Sequence, residues 1–340
     1  MIDFESRESH LLLNPSIPAG ERTRLQSFVP PLDAHVFVAT SGTTGTLKLV
    51  ALSKRAILAS AAAVNQRLGT IGQDVWCRVL PLFHVGGIGI EARAHLAGAR
   101  VAAMEWDAWV FAARREITLA SLVPAQVHDL VAASLAPPPA LRAILVGAGP
   151  FDADLDARAR TLGWPLLWSY GMSECASTIA IEDVLLPHLE ARVEPDGHLA
   201  LRGASLLTGY ATEEGLIDPK VAGWFISEDL GEVDGRTLRV RGRAADFIKI
   251  GGESVDLNRL GRIAEEVARV RGGDAAVLAV ADQRLGYVIH LAVTVDGIDG
   301  AFNERVLPFE RARQIHRLVA IPRSPLGKLL RSQLARQISE

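Results

Sequence analysis

Val75–Met104 reads VWCRVLPLFHVGGIGIEARAHLAGARVAAM. VWCRVLPL (75–82) reads as a strand, GIGIEARAHLAG (87–98) as a helix and ARVAAM (99–104) as a second strand. The alternation continues downstream. WDAWVFAARREI (106–117) predicts a helix, and TLASLVP (118–124), LRAILVGAG (141–149) and PLLWSYG (165–171) predict strands. Helical stretches start near Ala125 and Asp152 between them. Apolar strands alternating with helices predict an α/β fold, a buried and mostly parallel sheet with helices on its faces. Ligands on such sheets sit in crevices beyond the carboxyl ends of the strands. Three loops qualify: TSGTTG (40–45), GAGP (147–150) and SYGMSE (169–174).

Outward from this core the pattern changes. From about Arg192 to Arg243, short strands and glycine turns predict a small β-rich subdomain. After RAADFIKIGGE (243–253) a compact α+β unit is expected, with a helix over 256–269 and strands near 275–280 and 287–295. A helix near 301–312, a last strand and a last helix complete it. The expected boundary lies at Asp246, giving a large domain over 1–245 and a small mobile one over 246–340. A chain of 340 residues accommodates two such domains. The net charge of −3 comes from interspersed charges without a basic stripe, which argues against nucleic acid. No apolar run approaches membrane-span length, and MIDFESRESH lacks the order of a signal peptide. Cys77 and Cys175 show no ligand spacing and suit the core of a cytoplasmic protein.

TSGTTGTLK (40–48) concentrates Thr40, Ser41, Gly42, Thr43, Thr44, Gly45 and Lys48. Glycines let a ligand approach the backbone, successive N–H groups can form an anion nest, and hydroxyls and a lysine add donors and charge. A phosphate suits such a loop, although the spacing is not that of the Walker P-loop. The plainer reading is a hairpin turn between HVFVA (35–39) and LKLVALS (47–53). In SYGMSE, Tyr170 can stack on a nucleobase and Glu174 can hold Mg²⁺ beside phosphates. In WFISEDLGEV (224–233), Asp229 can accept two ribose hydroxyls or cap a turn. Arg243 and Lys249 flank Asp246, followed by Gly251 and Gly252; the plainer reading is a solvated linker. In PRSPLGKLLRSQL (322–334), Lys328 reads either as a site residue or as a basic helix start.

Taken in order, these motifs resemble the adenylate-forming superfamily of acyl-CoA synthetases, adenylation domains and luciferase-like enzymes, from about His35 to Leu334. LPLFHVGGIGIEARAHLAGAR (80–100) and SLVPAQVHDLV (121–131) are most similar to 2-succinylbenzoate–CoA ligases of menaquinone synthesis. The resemblance implies an ATP- and Mg²⁺-dependent enzyme that adenylates a carboxylic acid and then passes the acyl group to coenzyme A. It implies that Thr40–Lys48 holds the β- and γ-phosphates. Tyr170 and Gly171 would flank adenine, with the backbone of Gly147, Ala148 and Gly149 on its other side. Ser173 would touch the α-phosphate and Glu174 would bind Mg²⁺. Asp229 and Arg243 would hold the ribose, and Lys328 would bridge the acid and the α-phosphate. Asp246 would be a hinge, with Lys249, Gly251 and Gly252 lining the pantetheine path. Arg93 is the candidate partner for the second, aromatic carboxylate, with His84 and Met172 beside the acid; the plainer reading of Arg93 is a solvated helix residue.

Several positions depart from the superfamily pattern. Only 39 residues precede the phosphate loop, so one N-terminal subdomain is short or missing. A sheet face left bare in this way would be covered by a second subunit, which makes a homodimer one expected arrangement. Leu47 stands where proline is common, Ser173 where threonine is, Glu228 where glycine is, and GESVDL follows Gly251. Three other readings fit the same motifs: a CoA ligase for another aryl or fatty acid, acyl transfer to a carrier protein, or a non-catalytic nucleotide-binding relative. Intact Lys48, Glu174, Asp229 and Lys328 count against the last.

Overall fold

The computed structural model describes residues 2–41, 47–149, 151–243, 246–250, 253–282, 285–324 and 327–339. They group into two compact units, residues 1–227 with 231–240, and residues 228–230 with 241–340.

The first unit opens with β1 (His10–Leu12), α1 (Ala19–Ser27), β2 (His35–Ser41), β3 (Leu47–Ser53) and α2 (Lys54–Leu68). β2 and β3 are antiparallel, from His35↔Ser53 to Ser41↔Leu47, and β1 adds parallel to β2. Alternate residues of a strand point to opposite faces. Val36, Val38, Val50 and Leu52 pack on Ile57 and Ala61 of α2. Phe37, Leu49 and Ala51 pack under Leu25 of α1 and Phe28. Both faces of this strand pair are therefore covered from within the chain. The N-terminal segment is tied down as well. Buried Lys54 donates from Nζ to the carbonyls of Asp3 and Ser6. α2 is capped at its start by Ser53 Oγ, which accepts from Ala56 N–H, and it ends at Gly69 in the left-handed region (φ 59°).

The alternating core follows as β4 (Val75–Arg78), α3 (Val85–Ala97), β5 (Arg100–Ala103), α4 (Ala108–Ala113) and β6 (Leu119–Leu122). It continues through α5 (Pro124–Ala132), β7 (Ala143–Val146), α6 (Ala153–Thr161) and β8 (Leu166–Met172). These strands lie parallel in the order β8-β7-β6-β4-β5. β6 and β7 are buried along their whole length; β7 is apolar throughout, and β6 carries one polar residue, Ser121. Beyond β8 come β9 (Ser177–Ile181), β10 (Val184–Leu185), β11 (Leu189–Val193) and β12 (His198–Gly203). β13 (Gly209–Thr212), β14 (Gly215–Ile217), β15 (Phe225–Asp234) and β16 (Thr237–Arg243) follow. The β-rich stretch divides between two sheets. β9-β10-β16-β15-β12-β11 extend the parallel core from β8, while β13 and β14 join β3.

The second unit holds β17 (Phe247–Ile250), β18 (Glu253–Asp256), α7 (Leu257–Val270), β19 (Ala275–Asp282) and β20 (Gly286–Val293). α8 (Asp299–Asn303), β21 (Ala312–Arg317) and α9 (Arg331–Ser339) complete it. Leu257, Leu260, Ala264 and Val267 recur at helical spacing and are the buried face of α7. The single helix expected near 301–312 does not form. α8 stops at Asn303, a 3-10 turn spans Pro308–Glu310, and β21 begins at Ala312. Pro308 has no N–H to continue a helix, and residues 312–317 instead pair in parallel with β20.

Candidate active site

Two neighbouring parallel strands deliver the first cluster. β7 and β8 run in register from Ile144↔Leu166 to Val146↔Trp168, so Gly147, Ala148 and Gly149 leave the sheet beside Ser169 and Tyr170. The contact is close, since a Cβ on Gly147 would lie 2.9 Å from Ser169 Oγ and one on Gly149 2.8 Å from Pro124 Cγ. Ala148 between them has φ 63°. Tyr170 is half-buried. The chain then turns back antiparallel into β9 through a 3-10 turn, Ser173–Cys175. Gly171 makes the turn possible, because a Cβ there would lie 2.0 Å from the carbonyl oxygen of Ser177. Cys175 and Cys77 are both buried and neither is in a disulfide. Burial pushes the Cys77 thiol up to about 12, so it stays protonated and inert.

Lys48 and Glu174 meet on a residue the sequence reading passed over. Glu174 Oε1 accepts from the hydroxyl of Tyr210 at 2.9 Å, and Lys48 Nζ sits 3.5 Å from the centroid of the same ring. β13 is antiparallel to β3 with Tyr210 opposite Val50, which makes Lys48 a diagonal neighbour on one sheet face. Thr40 pairs with Lys48 across β2 and β3. Gly42, Thr43, Thr44 and Gly45 lie outside the described residues. Among the described residues no group of three His, Cys, Asp or Glu could cage a metal. A single carboxylate suits Mg²⁺, which takes one or two carboxylates and completes its octahedron with phosphate and water.

Arg93 is the largest departure from its plainer reading. It is 2% exposed, in the middle of the unit. Its guanidinium donates to Ser121 Oγ (3.2 Å) on β6 and to Thr178 Oγ1 (3.0 Å) and Ser177 Oγ (3.4 Å) on β9. It lies 5.4 Å from the Trp76 ring. Gly89, one turn earlier, leaves room for it, since a Cβ there would lie 3.2 Å from Nη2. Among the described residues no carboxylate pairs with Arg93, and Arg93 Nε and Trp76 Nε1 are buried donors without a partner. Desolvation lowers the guanidinium to about 10, still charged at neutral pH. Ser177 is held at φ 122° directly after Ala176 at φ 54°. Such backbone strain costs on the order of 1–3 kcal/mol and is tolerated where the surroundings enforce it. His84 precedes α3 without capping it by its side chain, packs 4.7 Å from the Phe83 ring and is pushed toward neutrality by burial. Met172 is half-buried and packs against two of the unit's core clusters.

The remaining expected residues belong to the second unit. Asp229 is half-buried in β15, and Arg243 ends β16. Asp246 accepts from Asn258 Nδ2 and Arg331 Nη2, each at 2.9 Å, so it ties the first residues of the unit to α7 and α9. Lys249 lies in β17, while Gly251 and Gly252 lie outside the described residues. Lys328 is exposed, three residues before α9. Ser324 N–H donates to the Lys328 carbonyl at 2.7 Å, and Lys328 N–H donates to Ser324 Oγ at 3.2 Å. Arg323, next to Ser324, pairs with Asp274 and Glu265.

The profile of the AMP-binding enzyme family matches residues 4–210, more than half of the chain. The chain belongs to that family. It is 31% identical over 333 residues to a protein of Mycobacterium tuberculosis described as a probable 2-succinylbenzoate–CoA ligase, covering 90% of this chain and 85% of that one. It also superposes on o-succinylbenzoate CoA synthetase from Bacillus subtilis in complex with the acyl-adenylate intermediate OSB-AMP. The TM-score is 0.77 at 26% identity, covering 88% of this chain and 68% of that one. The same Bacillus subtilis enzyme in complex with ATP and magnesium ion matches with a TM-score of 0.77 at 26% identity, covering 88% of this chain and 69% of that one. No helix among the described residues is long and apolar enough to cross a membrane.

Proposed function

We infer that this chain is an ATP-dependent, AMP-forming acid–CoA ligase that acts on 2-succinylbenzoate in menaquinone biosynthesis. Its relatives along the chain are 2-succinylbenzoate–CoA ligases. The observation that carries the choice of acid is Arg93, a buried cation ringed by hydroxyls with no carboxylate among its described partners. A buried charge requires a partner, and an acid with a second carboxylate supplies one. A monocarboxylic aryl or fatty acid would leave Arg93 uncompensated, so the diacid is the better fit.

The chemistry runs in two steps. A carboxylate oxygen of the succinyl arm attacks the α-phosphorus of ATP and pyrophosphate leaves. The thiolate sulfur of coenzyme A then attacks the carbonyl of the mixed anhydride and AMP leaves. In this reading Lys48 and the loop before it bind the outer phosphates, and Ser173 contacts the α-phosphate. Glu174 would hold Mg²⁺, which when bound would supply charge neutralisation at the phosphates. Tyr170, Gly171 and the 147–149 backbone flank adenine, while Asp229 and Arg243 hold the ribose. Lys328 stabilises the charge that develops during adenylation. Asp246 serves as hinge, and Lys249, Gly251 and Gly252 line the thiol path in the second step. We place the enzyme in the cytoplasm and keep the homodimer as a proposal that an oligomeric-state measurement decides. The direct test is pyrophosphate release across a panel of acids, with mass spectrometry of the thioester. Release with 2-succinylbenzoate and a succinylbenzoyl-CoA product is expected; faster turnover of a monocarboxylic acid would overturn the substrate assignment.

A further inference from the structure

We propose that Tyr210 is a positioning residue for the nucleotide step. It holds Lys48 on its ring face and Glu174 at its hydroxyl, so that the two opposite charges stay apart until magnesium–ATP arrives. The proposal rests on the adenylation reading above and extends it to a residue outside the expected motifs.

Tyr210 reaches both groups because β13 lies against β3. Pairing of Tyr210 with Val50 sets its ring beside Lys48, whose Nζ is 3.5 Å from the ring centroid. On the other side, the 3-10 turn after β8 is bound to the same stretch twice. The Glu174 carbonyl accepts from Leu207 N–H at 2.8 Å, and Glu174 Oε1 accepts from the Tyr210 hydroxyl at 2.9 Å. A lysine and a glutamate this near one residue could pair directly. Such a pair would neutralise the phosphate-binding cation and occupy the carboxylate. Among the described residues the two do not form an ion pair; each rests on the tyrosine instead. A ring face holds a solvent-accessible ammonium only weakly and leaves its charge unneutralised, so Lys48 is released readily to a phosphate. An O–H donor at one oxygen orients the carboxylate and leaves its other oxygen for a cation.

The ring and the hydroxyl separate by substitution. Tyr210→Phe keeps the ring and removes the donor; Tyr210→Leu removes both. The readout is magnesium–ATP binding by calorimetry at stepped Mg²⁺, which needs neither turnover nor the correct acid. Tyr210→Phe should raise the Mg²⁺ needed for half-maximal ATP binding about tenfold, the loss of one hydrogen bond to a charged group. Its ATP affinity at saturating Mg²⁺ should stay within about threefold of the parent, because the cation–ring contact remains. Tyr210→Leu should show the same Mg²⁺ shift and a further fall in ATP affinity of about threefold to thirtyfold. An unchanged Mg²⁺ requirement in Tyr210→Phe overturns the proposal, and so does parental ATP affinity in Tyr210→Leu. Tyr210→Phe lacks one hydroxyl only and carries the test if the leucine variant does not fold. A parent that binds magnesium–ATP but releases no pyrophosphate with any acid overturns the catalytic reading instead, and the two failures are read separately.

Discussion

Two cations of the first unit are held in opposite ways. Arg93 is sealed in the interior, gripped by three hydroxyls from two strands. Lys48 is partly open to solvent and rests on an aromatic face. Fixing a desolvated guanidinium among neutral donors and acceptors leaves its charge uncompensated, so it favours one anion of one shape that can follow it inside. A lysine on a ring keeps a mobile point charge, suited to a polyphosphate that arrives and leaves in each turnover. Under the proposed function, the difference would separate a group that selects a substrate from one that handles a common one. His188 shows that interior burial does not by itself preserve a charge. Both its ring nitrogens are buried without partners among the described residues, and burial, with nearby Arg236 adding to it, pushes it down to about 4. Arg93, with its high intrinsic basicity, stays charged; His188 does not.

The largest expected effect falls on Lys328, a cation of the second unit that is exposed and whose backbone is hydrogen-bonded to Ser324. Lys328→Ala should lower pyrophosphate exchange by about 10²–10³, the usual consequence of removing one preorganised contact to developing charge. Thiolysis of supplied acyl-adenylate should stay largely intact, and Gly252→Leu should do the reverse. Single-turnover assays of each half-reaction decide, and equal slowing of both steps by Lys328→Ala would end the two-orientation mechanism. Arg93→Ala tests the selective half of the comparison. It should lower kcat/KM for 2-succinylbenzoate by about 10²-fold, as expected when one partner of a buried charge pair is removed. The ATP KM should stay within about twofold, since the ring of hydroxyls around Arg93 is distinct from the Lys48 cluster. An acid KM equal to the parent's would assign Arg93 to stability alone.

The smallest effect is one of pH. A base whose folded pKa lies below its unfolded value binds fewer protons when folded, so stability rises with pH between the two values and is lost as pH falls. For His188 the window runs from the ordinary 6.5 down to about 4. Thermal melts should show a loss of about 2 kcal/mol at pH 5 from this residue, a loss that His188→Gln removes. A melting profile with the same acid slope in that variant would place the sensitivity elsewhere.

The parallel core was legible because strands buried on both faces are mostly apolar, as AILV is throughout and LASL is but for Ser121. The order of the loop motifs was legible because each is local, a few residues at the end of one strand. The helix expected near 301–312 does not form because Pro308 cannot continue it, and the parallel pairing of β21 on β20 was not visible from the segment itself. Tyr210 falls in the stretch that reads only as short strands and glycine turns. Its partners are far back in the chain, and nothing near it in sequence names either one.

What the sequence by itself determined is therefore the identity and order of the reactive groups: the hydroxyl-rich loop with Lys48, the SYGMSE turn, Arg93 within an apolar helix, and the PLGK segment. Tertiary structure alone decided which of these meet and in what medium. The antiparallel pairing of β13 with β3 set Tyr210 between Lys48 and Glu174. The packing of α3 over β6 and β9 makes Arg93, whose plainer reading was a solvated helix residue, a buried, hydroxyl-bound cation. The physical reason is that chemistry is carried by residue type, whereas desolvation and contact depend on neighbours brought in by long-range strand pairing, which no local pattern encodes.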